Sequence, residues 1–178
     1  CLVGSEMCIR DSTETTSFRL EHFHNNVTAT QNYAFGYPLN YPGINEYYSQ
    51  VVIQDLATAV KPQDVGTTRV AVVKDQKNPN VDGGTFSGPS WRDRDLTVKD
   101  DPFNFVTLYP TTNGQTSESP GNDPGYFALP AGKYKIRFSA PAFKVDRHMA
   151  AMIWSSNESD INKTYNPNTD QKDGEAYG

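Results

Sequence analysis

The sequence predicts an all-β fold, a sandwich or barrel of short antiparallel strands. Three observations carry this. Aromatic residues make up 12% of the chain, with 10 Tyr and 9 Phe, and these side chains favour pleated, half-buried surfaces. The 13 Gly and 12 Pro, with Asn, Thr, Ser and Asp crowded between apolar runs, punctuate the chain as turns do. In Gly132–Ala140, Tyr134, Ile136 and Phe138 alternate with Lys133, Lys135, Arg137 and Ser139, the period-two signature of a strand with one buried face. No long Ala/Leu/Glu/Lys stretch exists from which a helical bundle would be built.

Taken in order, Phe18, Leu20 and Phe23 mark a short strand, and Tyr37-Pro38 and Tyr41-Pro42-Gly43 mark turns. From Ile44 to Val60 the spacing of Ile44, Tyr47, Tyr48, Val51, Val52 and Leu56 predicts a helix stopped by Pro62. The β-branched run Val51-Val52-Ile53 keeps a strand as the alternative. Thr68–Lys74 is a strand, followed by a long polar loop, DQKNPNVDGGTFSGPS. Arg92–Val98 and Phe103–Leu108 are the next strands, and Thr111–Gly125 is a surface loop. Tyr126–Leu129 leads through the Pro130-Ala131-Gly132 turn into Gly132–Ala140, and the two strands are expected to pair. His148–Ser155 is a strand apolar on both faces, and residues 156–178 carry no core-forming pattern.

The net charge of −5 argues against a nucleic-acid partner bound through a broad basic surface. No apolar run approaches the roughly 18 residues of a helical membrane span, so no membrane insertion is expected. Both cysteines, Cys1 and Cys8, lie in the opening CLVGSEMCIRDS. That stretch resembles a translated sequencing-adapter string, which implies a non-native prefix over 1–12. A genuine N-terminus with a small disulfide loop is the alternative.

Two segments carry a further likeness. The first, 71–96, is AVVKDQKNPNVDGGTFSGPSWRDRDL; the second, 127–153, is FALPAGKYKIRFSAPAFKVDRHMAAMI, with its L-P-A-G-x-Y, S-A-P-A and R-H-x-A elements. Together they resemble a module of marine phage tail-fibre proteins, a jelly roll similar to the trimeric heads of the tumour necrosis factor and complement superfamily. The resemblance covers about residues 67–156. It implies an antiparallel jelly-roll sandwich, homotrimeric assembly, a virion or extracellular location, and a structural and receptor-binding role toward a host surface glycan or protein. A jelly roll has about eight strands, so the predicted sandwich is incomplete at its C-terminal end. The organisation expected is a prefix at 1–12, an N-terminal extension of mixed and unplaced fold at 13–66, and a truncated jelly-roll domain at 67–178. Gly83-Gly84 would supply a tight turn, Trp91 a core anchor, and Arg137, Arg147 and His148 a subunit seam or bonds to loop carbonyls.

The candidate ligand contacts are Asn78, Asn80 and Asp82 in one loop and Thr111, Asn113 and Asn122 in the other. Polar side chains there can bond sugar hydroxyls. His22-x-His24 is the one cluster with metal-like spacing, two rings on one side of a strand. A cupin-type motif would add a downstream Glu, and Asn25-Asn26-Val27-Thr28 follows instead, so exposed histidines are the plainer reading. Asp160-x-Asn162, Asp170…Asp173-Gly174, and Asp75, Asn78, Asn80 and Asp82 offer hard oxygens but lack the Gly and Glu spacing of an EF-hand loop. Asn26, Asn157 and Asn162 open formal glycosylation sequons, as chance provides in so Asn-rich a chain. There is no G-x-S-x-G elbow and no phosphate-cradling glycine motif. No catalytic residue, cofactor or metal ligand is therefore assigned. A secreted carbohydrate-binding or cupin-like domain is the rival to the virion reading.

Overall fold

The structure is a computed structural model that describes residues 4–24, 35–56, 69–84, 90–109, 125–142, 148–156 and 174–177. The described residues form eleven strands: β1 (Gly4–Ser12), β2 (Thr16–His24), β3 (Glu46–Asp55), β4 (Arg69–Lys77), β5 (Ser90–Asp93), β6 (Val98–Asp100), β7 (Thr107–Tyr109), β8 (Tyr126–Leu129), β9 (Gly132–Ser139), β10 (His148–Ser155) and β11 (Gly174–Tyr177). Every pairing among them is antiparallel, in two sheets that face each other as a β-sandwich. The first sheet has the order β1-β9-β3-β4-β6. The second runs β11-β10-β2-β8-β7, with β5 also paired to β2.

The alternation read in β9 holds: Tyr134, Ile136 and Phe138 are buried and the basic residues between them are not. They meet Val51 and Ile53 of β3, Ala71 and Val73 of β4, Phe18 and Leu20 of β2, Phe127 and Leu129 of β8, and Ala150 and Met152 of β10. The Phe18 and Phe127 rings stack at 5.1 Å. The apolar face of β9 is thus spent between the two sheets. From Ala150 to Ile153 β10 is buried on both faces, as its composition predicts, while Met149 at its start is exposed.

Several expectations are corrected. The stretch from Ile44 to Val60 is not a helix where it is described; Glu46–Asp55 is β3, paired with β4 and β9. Arg92–Val98 does not run through as one strand. Its pairing to β2 ends at Asp93, the chain passes through Arg94–Thr97, and β6 then joins the other sheet. Pro130-Ala131-Gly132 does not join a hairpin. It carries the chain from β8 in one sheet to β9 in the other, braced by the Tyr134 hydroxyl donating to Pro130 O at 3.1 Å. β4 extends to Lys77, so Asp75 is a strand residue and not a loop residue. Residues 13–66, read as an extension, supply a central strand to each sheet, β2 and β3, and Gly4–Ser12 of the opening stretch pairs with β9. β11 pairs with β10 inside the C-terminal stretch that carried no visible core pattern.

Candidate functional site

One end of the sandwich is closed by a buried polar cluster, and a cleft lies over it. The cluster starts from β2, whose alternation turns Phe18, Leu20 and His22 inward; all three are fully buried. His22 is therefore not an exposed histidine. Its Nδ1 lies 2.8 Å from Nη2 of Arg94, also fully buried. A guanidinium can only donate, so His22 accepts at Nδ1 and carries its proton on Nε2. Arg94 is held where β5 ends by its own N–H on Leu20 O at 2.8 Å. From there Nη1 donates to Phe35 O at 2.9 Å and Nη2 to Pro141 O at 2.5 Å. The guanidinium also lies 4.2 Å from the centroid of the Phe35 ring, within cation–π range. Burial lowers the Arg94 pKa to about 10, with Asp75 and Asp95 opposing. It remains a cation at neutral pH.

Tyr48 forms the next layer. The β3–β4 register slips between Tyr47 and Ser49, a bulge that leaves Tyr47 outward and buries both Tyr48 and Ser49. Bulges re-aim side chains in this way beside functional sites. The Tyr48 hydroxyl donates to Val81 O at 2.7 Å. Its ring packs on two glycines: a Cβ on Gly36 would lie 2.1 Å from Tyr48 Cδ1, and one on Gly83 would lie 2.8 Å from Tyr48 Cγ. Two backbone bonds, Phe35 N to Gly84 O and Gly83 N to Gly36 O, both 3.1 Å, pin the loop before β3 to the loop after β4.

Tyr47, Tyr48, Ser49, Gln50, Ser139 and Pro141 line the resulting cleft, of about 170 Å³. Tyr47 is 56% exposed, and Lys74 Nζ stands 5.4 Å from its ring centroid. Ser49 Oγ is buried and makes no hydrogen bond to the protein. Exposed Tyr37, Leu39, Tyr41 and Ile44 occupy the loop that enters β3, and Glu46 Oε1 accepts from Leu39 N at 3.0 Å to hold that entry.

Of the ligand contacts expected from the sequence, Asn78, Asn80 and Asp82 lie in the loop held by Tyr48 at Val81, beside the cleft. Asn78 and Asn80 are exposed. Asn80 adopts φ 64°, a left-handed turn position that Asn tolerates, while Asp82 Oδ1 accepts from Gly84 N at 2.8 Å and shapes the turn. Thr111, Asn113 and Asn122 lie outside the described residues, as do Arg147 and the acidic stretch from Asp160 to Asp173. Trp91 packs against Phe23 with ring centroids 5.4 Å apart, and Arg137 faces outward from β9. Among the described residues no group of three or more His, Cys, Asp or Glu is arranged to hold a metal.

The β3 residues that line the cleft, Tyr47–Gln50, were missed because the Ile44–Val60 spacing reads as helical. A readable signal existed: the Tyr47-Tyr48 doublet breaks alternation just before a β-branched run, as a bulge at a strand entrance does.

Beneath the cleft, Asp75 is buried on β4, opposite Ser49, and ion-paired to Lys77 at 3.3 Å. Lys77 also donates to Asp95 at 2.9 Å. Burial raises the Asp75 pKa from 3.8 to about 6, against the opposing pull of Lys77 and Arg94. The folded state thus holds this proton more tightly than the unfolded chain does. The stabilising contribution of Asp75 is full below about 3.8 and is lost as pH rises through about 6. Asp75→Asn is expected to raise stability at pH 8 by about 1–2 kcal/mol, because it removes the ionised buried carboxylate while Lys77 keeps Asp95. Thermal midpoints from pH 4 to 8 check this, and an unchanged pH slope in the variant would refute it. His148, whose ring lies 5.5 Å from that of His22, acts in the opposite sense. Burial lowers its pKa from 6.5, with Arg94 among the smaller causes in the same direction, so its contribution is present above 6.5 and is lost as pH falls through the folded value.

Comparison of the chain with protein-family models, with curated proteins and with solved structures yields no match in any of the three.

Proposed function

We propose that this chain is a non-catalytic recognition module that binds a host surface glycan in the cleft at the β3 bulge. We place it, on the resemblance of 71–96 and 127–153, as a jelly-roll head of a phage tail fibre or similar virion appendage. The observation that carries the binding reading is Tyr47. A large aromatic ring stands outward beside a cleft whose walls include the exposed Gln50 and the half-buried Ser139. An exposed ring gives a sugar a face to stack on, and a few convergent polar groups fix its hydroxyls. The buried Arg94 holds the Phe35 and Pro141 carbonyls in place, so the walls are preorganised and little ordering entropy is lost on binding.

The test is a glycan-array screen followed by titration of hits against Tyr47→Ala. The variant is expected to lose about tenfold to a hundredfold in affinity, the loss of one stacking anchor, with an unchanged thermal midpoint because the ring is outward. Glycan binding unaffected by the substitution would move the site elsewhere. The same resemblance carries homotrimeric assembly, and light scattering of the purified chain tests it. A monomeric mass would remove the fibre-head arrangement and favour the isolated carbohydrate-binding domain, the second reading that the cleft supports equally.

A further inference from the structure

The walls of the cleft divide by chemistry. Tyr48 and Pro141 give it mainly carbon, the face of a phenol ring and a pyrrolidine. The Tyr48 hydroxyl is engaged at Val81 O, to which it donates at 2.7 Å. Pro141 O already accepts from Arg94 Nη2 at 2.5 Å, and Ser49 Oγ is buried, so it adds no accessible hydroxyl. The Tyr48 ring is also fixed in place, wedged against Gly36 and Gly83 where there is no room for a Cβ. The accessible polar side chains lie together: Gln50 of β3 is exposed, Ser139 of β9 is half-buried, and the two stand directly opposite each other in register. At about 170 Å³ the cleft is smaller than the roughly 300–1,000 Å³ of a site that encloses a drug-sized ligand. It therefore admits part of one sugar residue and not a whole oligosaccharide.

Resting on the glycan reading above, we propose that the cleft selects a sugar with a methyl-terminated substituent, either the acetamido group of an N-acetylated sugar or the C6 methyl of a 6-deoxy sugar. The pyranose ring lies on Tyr47, outside the cleft. The methyl group enters between Tyr48 and Pro141, and Gln50 and Ser139 bond the polar atoms beside it. Water in a space walled by ring and pyrrolidine carbon finds few partners, so its displacement by an apolar group is favourable. A hydroxyl in the same place would exchange its bonds to water for contact with carbon, which costs affinity.

The test titrates the full chain with two pairs of sugars that differ at this group alone: N-acetylglucosamine against N-formylglucosamine, and 6-deoxygalactose against galactose. In at least one pair the methyl-bearing sugar is expected to bind about tenfold tighter, the lower end of what one methyl group gains in an apolar pocket. Pro141→Ser keeps the carbonyl that Arg94 holds and places a hydroxyl in the apolar wall. It is expected to bring the two affinities of the favoured pair close together, with a thermal midpoint taken alongside to show that the variant is folded. Saturation-transfer NMR on the unaltered protein reads the same contact without a substitution, and the methyl protons should be the most strongly saturated of the bound sugar. Preference in the first pair names the acetamido group as the source of the methyl, and preference in the second names the deoxy carbon; either supports the proposal. Equal affinities within both pairs overturn it, and so does a full preference kept by folded Pro141→Ser or saturation centred on the ring protons. In those cases the stacking reading stands or falls separately, on Tyr47→Ala. If no sugar of any kind binds, the glycan reading falls and this inference falls with it.

Discussion

Replacing Arg94 with alanine is expected to lower the stability of the domain by about 3–5 kcal/mol, the range for deleting one member of a buried charged network. The loss has three sources. His22 Nδ1, Phe35 O and Pro141 O each lose their donor, and a buried acceptor left without a partner costs about 1–3 kcal/mol. The cation over the Phe35 ring is removed. A fully buried side chain of large volume is replaced by a methyl group, which leaves a cavity. Against these stands the relief of desolvating a guanidinium, whose burial outweighs the attraction of Asp75 and Asp95. Arg94→Met separates the two sides. It keeps most of the volume and removes the charge, but it restores none of the three hydrogen bonds that Arg94 donates. It should therefore recover only part of the loss. Urea denaturation of the three proteins reads this directly, and a loss under about 1 kcal/mol for the alanine variant would show that the cluster is not what closes this end of the sandwich. Since a domain's total stability is about 5–15 kcal/mol, the alanine variant is also expected to expose the cleft to partial unfolding and to lose glycan affinity.

The second large effect is expected at Gly83. A Cβ there would lie 2.8 Å from both the carbonyl carbon and oxygen of Phe35 and from Tyr48 Cγ. Two of these contacts are backbone, which cannot swing aside as the end of a flexible side chain can. Gly83→Ala is therefore expected to cost about 2–4 kcal/mol, at or above the usual range for overpacking. The backbone bonds between the two loops are expected to break. Gly43→Ala is the matched control. Its φ of +78° makes an added Cβ strained, but nothing lies within 4 Å, so its cost is confined to about 1 kcal/mol of backbone conformation. Thermal midpoints of the two variants side by side test the argument, and equal losses would show that steric contact at the Tyr48 clamp contributes nothing. Gly83→Ala should also weaken glycan binding, because Tyr48 is a wall of the cleft. Gly43→Ala should not.

How far the chain could be read follows from where each signal resides. The β9 alternation is local, set by a Cβ direction that reverses at each residue, and the structure keeps it at Tyr134, Ile136 and Phe138. β8 and β10 were legible instead as short apolar runs buried on both faces. β3 was not, because the bulge at Tyr48 adds one residue to the strand and shifts the phase of its alternation. Tyr47, Tyr48, Val51 and Val52 then mimic the i, i+3, i+4 spacing of a helix over a short window. Residues 92–98 failed for a different reason. They were read as one strand, yet Asp93 ends the pairing with β2 and Arg94 turns inward to His22, 72 positions away.

By itself the sequence determined the all-β class, the inward faces of the most regular strands and the polar loop around Asn78, Asn80 and Asp82, since each follows from residue type and short-range period. The tertiary structure decided which sheet each strand joins. A tight turn such as Pro130-Ala131-Gly132 serves a hairpin or a passage between sheets equally well, and the distant partners β2 and β3 select between them. It also decided the cleft. Tyr47, Gln50, Lys74 and Ser139, scattered over about ninety positions of the chain, are brought side by side by strand register, and register is a long-range property that no local pattern contains.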